Sequence, residues 1–202
     1  LDEGYSIRRN NLFDETIINE KPANRVMLSE ISNSFLVMTP QWLYDGFLVE
    51  GAWKERMETV RDGKTFTILR HKEEENKLRL QVEALHTNFS RQMNGYYYLP
   101  FADAQKKQWF AKAYHQLLDQ DTEITGMDML QHFRYSSHRI NTTSTIHESE
   151  NDLLRIDIKI SFGAEEVALQ ELQKIIYAGQ KAVLLKDGSL GLLTDEWLEK
   201  YG

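Results

Sequence analysis

The sequence has no cysteine, no long apolar run and no secretion leader. The lack of cysteine excludes disulfides and thiolate metal sites, and it fits a reducing cytoplasm. No apolar run approaches the roughly 18 residues that a membrane span needs, so we predict no transmembrane segment and no membrane partner. Because no basic stretch leads into an apolar one with a cleavage-like site, nothing marks secretion. We therefore expect a cytoplasmic protein.

An excess of positive charge is also missing, since the formal net charge is −7. This weighs against an autonomous nucleic-acid-binding protein, because affinity for the phosphate backbone comes from clustered lysine and arginine. The imbalance is uneven along the chain. Residues 148–202 hold eleven acidic and six basic side chains, whereas residues 104–147 hold four acidic and five basic ones and four of the six histidines. If any face meets phosphate, we expect it in the stretch 104–147.

Apolar residues make up 41% of the chain and aromatic residues 11%, which is typical of a globular protein. The 202 residues suffice for one large domain or two small lobes. We predict an α+β fold of antiparallel β-hairpins and small sheets with several packed helices, either as one domain or as two lobes, 1–100 and 101–202. The chain opens on Leu1 rather than methionine and stops soon after a helix-like run, so we expect it to be part of a longer protein.

The N-terminal third favours β-strands. Residues 35–38 form a short apolar run that Thr39-Pro40 is expected to stop. Residues 41–49 form a second run, rich in aromatic and aliphatic residues, with Gly46 where a bulge or turn would lie.

A tight hairpin turn is predicted at Asp62-Gly63, between the strands 57–60 and 65–69. After it, apolar residues recur every three to four positions from 73 to 93. This spacing predicts a helix that ends near Gly95.

Three further helices are predicted at about 103–119, from about 126, and at about 168–177. Between the last two the apolar period drops to two, which predicts an antiparallel pair of strands at 140–146 and 153–160. In the second strand the aliphatic residues alternate with charged ones, so we expect their face to be buried. These aliphatic residues are Leu154, Ile156, Ile158 and Ile160.

The C-terminal residues predict a last hairpin and helix. Asp187-Gly188 is expected to be a turn between apolar strands at 182–185 and 190–193, rather than a reactive loop. Thr194 is well placed to cap a following helix, in which Trp197 is expected to act as an anchor.

Two short motifs resemble binding loops but lack required residues. Residues 61–65 contain the Gly-Lys-Thr tail of a phosphate-binding loop, yet Glu58 stands where that loop needs glycine and a strand-like run follows, so we interpret them as a hairpin. The acidic run from Asp119 begins like a calcium loop, but Ile124 and Leu130 replace its glycine and its glutamate.

No metal or catalytic motif is complete. The spacings of His132, His138 and His147 match no zinc-ligand pattern, and capping or packing roles are the alternative. The chain has thirty-one carboxylates, and nothing in the sequence singles out a pair for acid–base catalysis.

The segment 132–139, HFRYSSHR, interleaves basic side chains with two aromatic rings and two hydroxyls. Such a set can contact phosphate while stacking on a base or sugar. The alternative is a helix-to-strand connection with aromatic residues in the core and charges on the surface. We predict a nucleic-acid contact at Arg134, Tyr135, His138 and Arg139. Residues 94–100 are likewise either a binding ridge or a packed strand.

The C-terminal third contains four stretches with a specific likeness: 158–163 (IKISFG), 169–172 (LQEL), 179–193 (GQKAVLLKDGSLGLL) and 196–198 (EWL). In these stretches the chain resembles the bacterial Swi/Snf helicase-associated domain, which precedes the motor core of bacterial Swi/Snf-type helicase-like ATPases. Residues 35–47, 85–99 and 127–135 are similar to upstream parts of such proteins, so the likeness spans most of the chain.

The resemblance implies a parent protein that hydrolyses ATP to translocate along duplex DNA. Its ATP and Mg would be bound by a motor beyond Gly202, so no catalytic residue, metal or cofactor is assigned to this chain. We expect a non-catalytic accessory region that regulates the C-terminal motor of the same chain, contacts duplex DNA or docks a partner. The alternatives are a protein-interaction module without nucleic-acid contact and an unrecognised hydrolase using scattered carboxylates.

Overall fold

A computed structural model describes residues 15–148 and 154–201. The fold is α+β, as predicted. Contacts between Cα atoms divide the chain into two compact units. The first unit holds the described residues up to Met27 together with Met38–Tyr98, and the second holds Leu28–Val37 and the chain from Leu99 onward.

The N-terminal half of the described chain consists of strands and one long helix. In chain order its elements are β1 (Glu15–Ile18), β2 (Ala23–Ile31), β3 (Phe35–Tyr44), β4 (Phe47–Glu50), β5 (Arg56–Arg61), β6 (Lys64–Leu69), α1 (Lys72–Glu83) and β7 (Tyr97–Pro100). A 3-10 turn, Phe89–Arg91, lies between α1 and β7.

The C-terminal half alternates short helices with strands. Its elements are α2 (Phe101–Gln105), α3 (Trp109–Leu118), β8 (Glu123–Thr125), β9 (Ile140–Glu148), β10 (Leu154–Phe162), β11 (Glu165–Val167), α4 (Leu169–Tyr177), β12 (Ala182–Leu184), β13 (Leu190–Leu192) and α5 (Asp195–Tyr201). Short 3-10 turns cover Lys106–Gln108 and Met127–Met129.

Within the described residues the strands form four small sheets. Their orders are β1-β6-β5, β11-β10-β9, β12-β13 and β4-β3-β2-β8, with β7 pairing on β3. Most pairs whose register is resolved are antiparallel hairpins, as predicted, whereas β1 runs parallel to β6.

Two Asp-Gly turns set the hairpins of the first unit. Asp62 and Gly63 have φ of 53° and 75°, the pair of positive angles that a type I′ turn requires, and β5 and β6 pair on either side of them. The predicted hairpin at this place is confirmed. A second turn of this kind, at Asp45-Gly46, joins β3 to β4.

The predicted stop at Thr39-Pro40 is wrong, because β3 runs through both residues to Tyr44. Proline lacks a backbone N–H but keeps the extended φ that a strand can use. The apolar runs 35–38 and 41–44 therefore belong to one strand, and the chain reverses at the Asp-Gly turn instead.

The helix predicted over 73–93 is shorter, because α1 ends at Glu83. The apolar spacing continues past its end: Phe89 is buried in the 3-10 turn, with its ring centroid 5.3 Å from that of Tyr97, whereas Met93 is 93% exposed. Local bonds compete with the helix here, since the Asn88 N–H donates to the His86 ring.

A buried ion pair joins β6 to α1 in the first unit. The Arg70 guanidinium donates to both carboxylate oxygens of Glu75 at 2.7 and 2.6 Å, and the two side chains are 2% and 1% exposed. The Tyr44 hydroxyl also donates to Glu75 at 2.9 Å, and burial raises the pKa of that hydroxyl, which keeps it protonated. Arg70 further donates to the Ala52 carbonyl, so both charges are held by several hydrogen bonds.

The single helix predicted over 103–119 is broken into α2 and α3. Lys107 and Gln108 have φ of 52° and 56°, in the left-handed region, and a right-handed helix cannot continue through them. The predicted third helix near Gly126 is likewise only the 3-10 turn at Met127–Met129.

The residues from Ile140 to the C-terminal helix share one apolar core. Its buried members are Ile160, Phe162, Val167, Leu172, Val183, Leu185, Leu193 and Trp197. As predicted, β9 pairs antiparallel with β10 and β12 with β13.

The buried face predicted for β10 is confirmed only at one end. Ile160 is 4% exposed, but Ile156 and Ile158 are 58% and 48% exposed, because the core covers only the end of the hairpin near Phe162. The side chain of Leu154 lies outside the described residues. This face therefore leaves aliphatic side chains in contact with solvent.

The expected roles of Thr194 and Trp197 are confirmed. The Thr194 hydroxyl accepts from the Trp197 N–H at 3.2 Å, and the buried indole donates to the Thr142 hydroxyl at 2.7 Å. Within residues 15–148 and 154–201, no helix has both the length and the apolar character to cross a bilayer.

Removing the charge of Glu75 tests the buried ion pair. We expect Glu75→Gln to lower the free energy of unfolding by about 3 kcal/mol or more, because the guanidinium of Arg70 would stay buried without its counter-charge. Glu73→Gln is the matched control, since it removes a carboxylate from an exposed site in the same helical turn. Chemical denaturation followed by tryptophan fluorescence measures the free energy of unfolding of both variants. Equal losses of stability in the two variants would contradict the structural role of the buried ion pair.

Candidate functional site

Three of the four predicted contact residues line one open cavity of about 470 Å³ in the second unit. We call it the Arg134 cavity. Its lining residues are Tyr114, Ile124, Thr125, Gly126, Met127, Asp128, Arg134, Tyr135, Ser136, Ser137, His138, Asp187 and Ser189. Hydroxyl, guanidinium and imidazole groups thus meet at one place.

The chain at Arg134 is fixed by its backbone. The Ser136 N–H donates to the Leu190 carbonyl at 2.9 Å, and the Leu190 N–H donates to the Arg134 carbonyl at 2.8 Å. Tyr135 therefore forms a parallel bridge with Leu190, the first residue of β13. The bonds hold the predicted segment beside the C-terminal hairpin.

Aromatic packing also fixes this segment. The Phe133 ring is fully buried, with edge-on contacts to Phe101 and Phe110 at centroid distances of 4.9 and 5.5 Å. Tyr135 lies 6.0 Å from Phe110 and is half-buried, and burial raises the pKa of its hydroxyl. Tyr135 is thus a protonated hydrogen-bond donor with only part of its surface open to a ligand.

Another part of the cavity lining, residues 124–128, starts in β8 and passes through Gly126. Gly126 has φ of 82°, and a Cβ atom built there would lie 2.2 Å from the Leu28 carbonyl oxygen. No side chain fits in this close approach, so position 126 must be glycine for the backbone to follow this path. Nearby, the Glu30 carboxylate accepts from the Gln131 and His132 N–H groups, which ties the start of the predicted segment to β2.

Asp187 and Ser189 bring a negative charge and a hydroxyl into the cavity from the turn at 185–189. The Asp187 carboxylate accepts from the Ser189 hydroxyl at 2.6 Å and from the Ser189 N–H at 2.8 Å. These two bonds, and to a smaller degree the charge of Arg134, hold the pKa of Asp187 below its ordinary value of 3.8. Asp187 is therefore ionised at neutral pH and partly balances Arg134, so the cavity is polar rather than strongly cationic.

Arg139 does not line the Arg134 cavity. Its guanidinium pairs with the Asp119 carboxylate at 2.5 Å and also donates to the His115 carbonyl. The pair holds the pKa of Asp119 below its ordinary value. Arg139 borders a separate space of about 300 Å³ with Lys112 and Asp195, so a ligand there would meet an arginine that already has a partner.

The histidines are not brought together as a metal site in the described residues. His132 Nδ1 lies 3.0 Å from the Glu30 carboxylate, while the His138 ring packs against Gly163. The side chain of His147 lies outside the described residues. In residues 15–148 and 154–201 no group of three metal-ligating side chains is found.

Tyr97–Pro100 form β7, so residues 94–100 contain the strand that was one of their two interpretations. Tyr97 is buried in β7 and donates to Glu83 at 2.8 Å, while Tyr96 and Tyr98 are 41% exposed. Sequence reasoning missed the part played by Asp187 and Ser189 in the Arg134 cavity. They lie about fifty residues from Arg134 along the chain, and the Asp-Gly pattern indicates only their turn.

Two glycine substitutions test the wall at Gly126. Gly126 and Gly179 both have positive φ, but only a Cβ at Gly126 would meet backbone, since nothing lies within 4 Å at Gly179. We expect Gly179→Ala to cost about 1–2 kcal/mol of unfolding free energy from backbone strain. Gly126→Ala should cost about 1–3 kcal/mol more, because of the collision with Leu28. Thermal and chemical denaturation measure both, and equal costs would show that the approach to Leu28 is not tight.

No protein-family model matches the chain, and no curated protein or solved structure matches it either.

Proposed function

We propose that the chain is a non-catalytic accessory region of a cytoplasmic Swi/Snf-type DNA-dependent ATPase, and that it contacts duplex DNA through the Arg134 cavity. The observation that carries the proposal is the convergence of Arg134, Tyr135 and His138 on one open polar cavity. In this proposal ATP and Mg are bound by the motor of the parent protein, and this chain positions or regulates that motor.

The chemistry of the cavity suits a phosphate of the DNA backbone. Arg134 supplies a forked cationic donor, and the hydroxyls of Ser137 and Tyr135 supply neutral donors of the kind that commonly contact phosphate and sugar. Because the backbone bonds at Leu190 already fix the segment, binding would order few additional side chains.

The contact is expected to be limited in extent. Asp187 and Asp128 also line the cavity, and the chain is acidic overall, so only a few phosphates can be neutralised. A weak contact of this kind fits an accessory region that acts beside a motor which itself holds the DNA.

Duplex titration of the Arg134→Ala variant tests the proposal. We expect the wild-type chain to bind duplex DNA with an affinity that falls as salt rises, and we expect the variant to bind more weakly, with a slope of log affinity against log salt smaller by about 1. Fluorescence anisotropy at two or more salt concentrations measures both quantities.

Arg56→Ala is the matched control for this titration. Arg56 is an exposed arginine that pairs with Glu58 in the first unit, so its removal should leave the slope unchanged. Equal slopes for the wild type and Arg134→Ala would contradict the proposed contact. ATP turnover by the chain alone, stimulated by DNA, would contradict its non-catalytic role.

A protein-interaction module without nucleic-acid contact is the second candidate function. It is favoured by the aliphatic side chains that the β9–β10 hairpin leaves open, Ile146, Ile156 and Ile158, which are 63%, 58% and 48% exposed. The partner that the resemblance implies is the motor of the same parent protein. The duplex titration separates the candidates, because this second function predicts no salt-dependent DNA affinity.

A further inference from the structure

Another cavity in the second unit is lined by three lysines, two glutamines and one aspartate. It measures about 370 Å³ and is bordered by Gln105, Lys107, Gln108, Lys112, Lys181 and Asp195. We call it the lysine cavity. It shares no residue with the Arg134 cavity, and its size is within the range of small-ligand sites.

The lysine cavity has an excess of positive charge. Three lysines face one aspartate, which leaves a formal charge of plus two in an otherwise acidic chain. The Asp195 carboxylate accepts from Lys181 Nζ at 2.8 Å and from Lys112 Nζ at 3.2 Å. Asp195 therefore holds two ammonium groups side by side, and each keeps N–H donors for a second anion.

Charge coupling supports this arrangement. The bonds from Lys181 and then from Lys112 hold the pKa of Asp195 below its ordinary value. Asp195 thus remains an anion at neutral pH and keeps both ammonium groups in position. Lys107 forms no ion pair within the described residues, so its charge is not balanced by a protein carboxylate.

The backbone beside the cavity is strained. Lys107 and Gln108 both have left-handed φ, which costs free energy for residues with a side chain, and such outliers cluster at binding sites. The same residues break the predicted helix at 103–119 and thereby bring Lys107 to the rim of the cavity.

An unsatisfied polar atom lies at the same place. In the described part of the chain the buried Gln108 Oε1 has no hydrogen-bond partner, and its Nε2 is 3.5 Å from the Lys181 carbonyl. A buried acceptor without a donor is uncommon in proteins and is satisfied when a ligand or a water brings one.

We infer that the lysine cavity binds a phosphoryl group, with Lys107, Lys112 and Lys181 as the cationic donors. The phosphoryl group belongs either to a small phosphate compound or to a nucleic-acid backbone. The inference goes beyond the proposed function and does not rest on it, because none of these residues lines the Arg134 cavity.

Titration with pyrophosphate and with inorganic phosphate tests the inference on the 202-residue chain. We expect pyrophosphate to bind with a dissociation constant of about 1 mM or lower, measured by calorimetry. Lys107→Gln and Lys181→Gln should each weaken binding about tenfold, because each removes a charge-assisted hydrogen bond.

Lys106→Gln is the matched control. Lys106 is the exposed neighbour of Lys107 but does not line the cavity, so the substitution should leave pyrophosphate affinity unchanged. Absence of binding by the wild type, or an equal loss in Lys106→Gln and Lys107→Gln, would overturn the inference. Far-ultraviolet circular dichroism verifies that each variant is folded.

A competition arm identifies the source of the phosphoryl group. Displacement of pyrophosphate by a short duplex DNA would assign the site to a nucleic-acid backbone, and lack of displacement would assign it to a small phosphate compound. Arg134→Ala should leave pyrophosphate binding unchanged. The result is therefore distinguishable from a failure of the proposed DNA contact at the Arg134 cavity.

Discussion

The pairing of Leu190 with Arg134 and Ser136 is the interaction on which the candidate site depends. Two backbone hydrogen bonds, of 2.8 and 2.9 Å, join the segment after Phe133 to the C-terminal hairpin. Because backbone bonds do not depend on side-chain identity, the cavity keeps its shape while Arg134 and Ser137 stay available for a ligand. The buried Phe133 and the close approach of Gly126 to Leu28 fix neighbouring parts of the cavity lining.

The two units use charge in different ways. In the first unit Arg70 and Glu75 are buried, and each charge is satisfied by its partner and by further hydrogen bonds, so the pair is a structural element. In the second unit Lys112 and Lys181 are exposed and share the single carboxylate of Asp195. Exposed pairs add little to stability, so these cations are available for ligands at small cost.

The sequence predicts the turns of this fold well, and it predicts the continuity of its helices and strands poorly. Asp62-Gly63 has positive φ at both residues, so its hairpin can be identified from two residues. Asp187-Gly188 lies in the longer turn 185–189, where Gly188 has positive φ and Asp187 does not. Apolar spacing specifies which side chains are buried, but Phe89 is buried in a 3-10 turn as readily as in a helix. Part of the Arg134 cavity could be identified from the sequence, because five of its lining residues, 134–138, are consecutive in the chain. The lysine cavity could not, since Lys107 and Lys181 are brought together only by the tertiary fold.

Amide hydrogen exchange of the chain, with and without duplex DNA, tests the central claim most directly. The account predicts that the N–H groups of Ser136 and Leu190 exchange slowly in the free chain, as expected for a preformed cavity, and that DNA slows exchange further in the segment 134–138. Fast exchange at both amides in the free chain would show that the cavity is not preformed. Unchanged exchange in that segment at saturating DNA would show that the duplex is bound elsewhere or not at all.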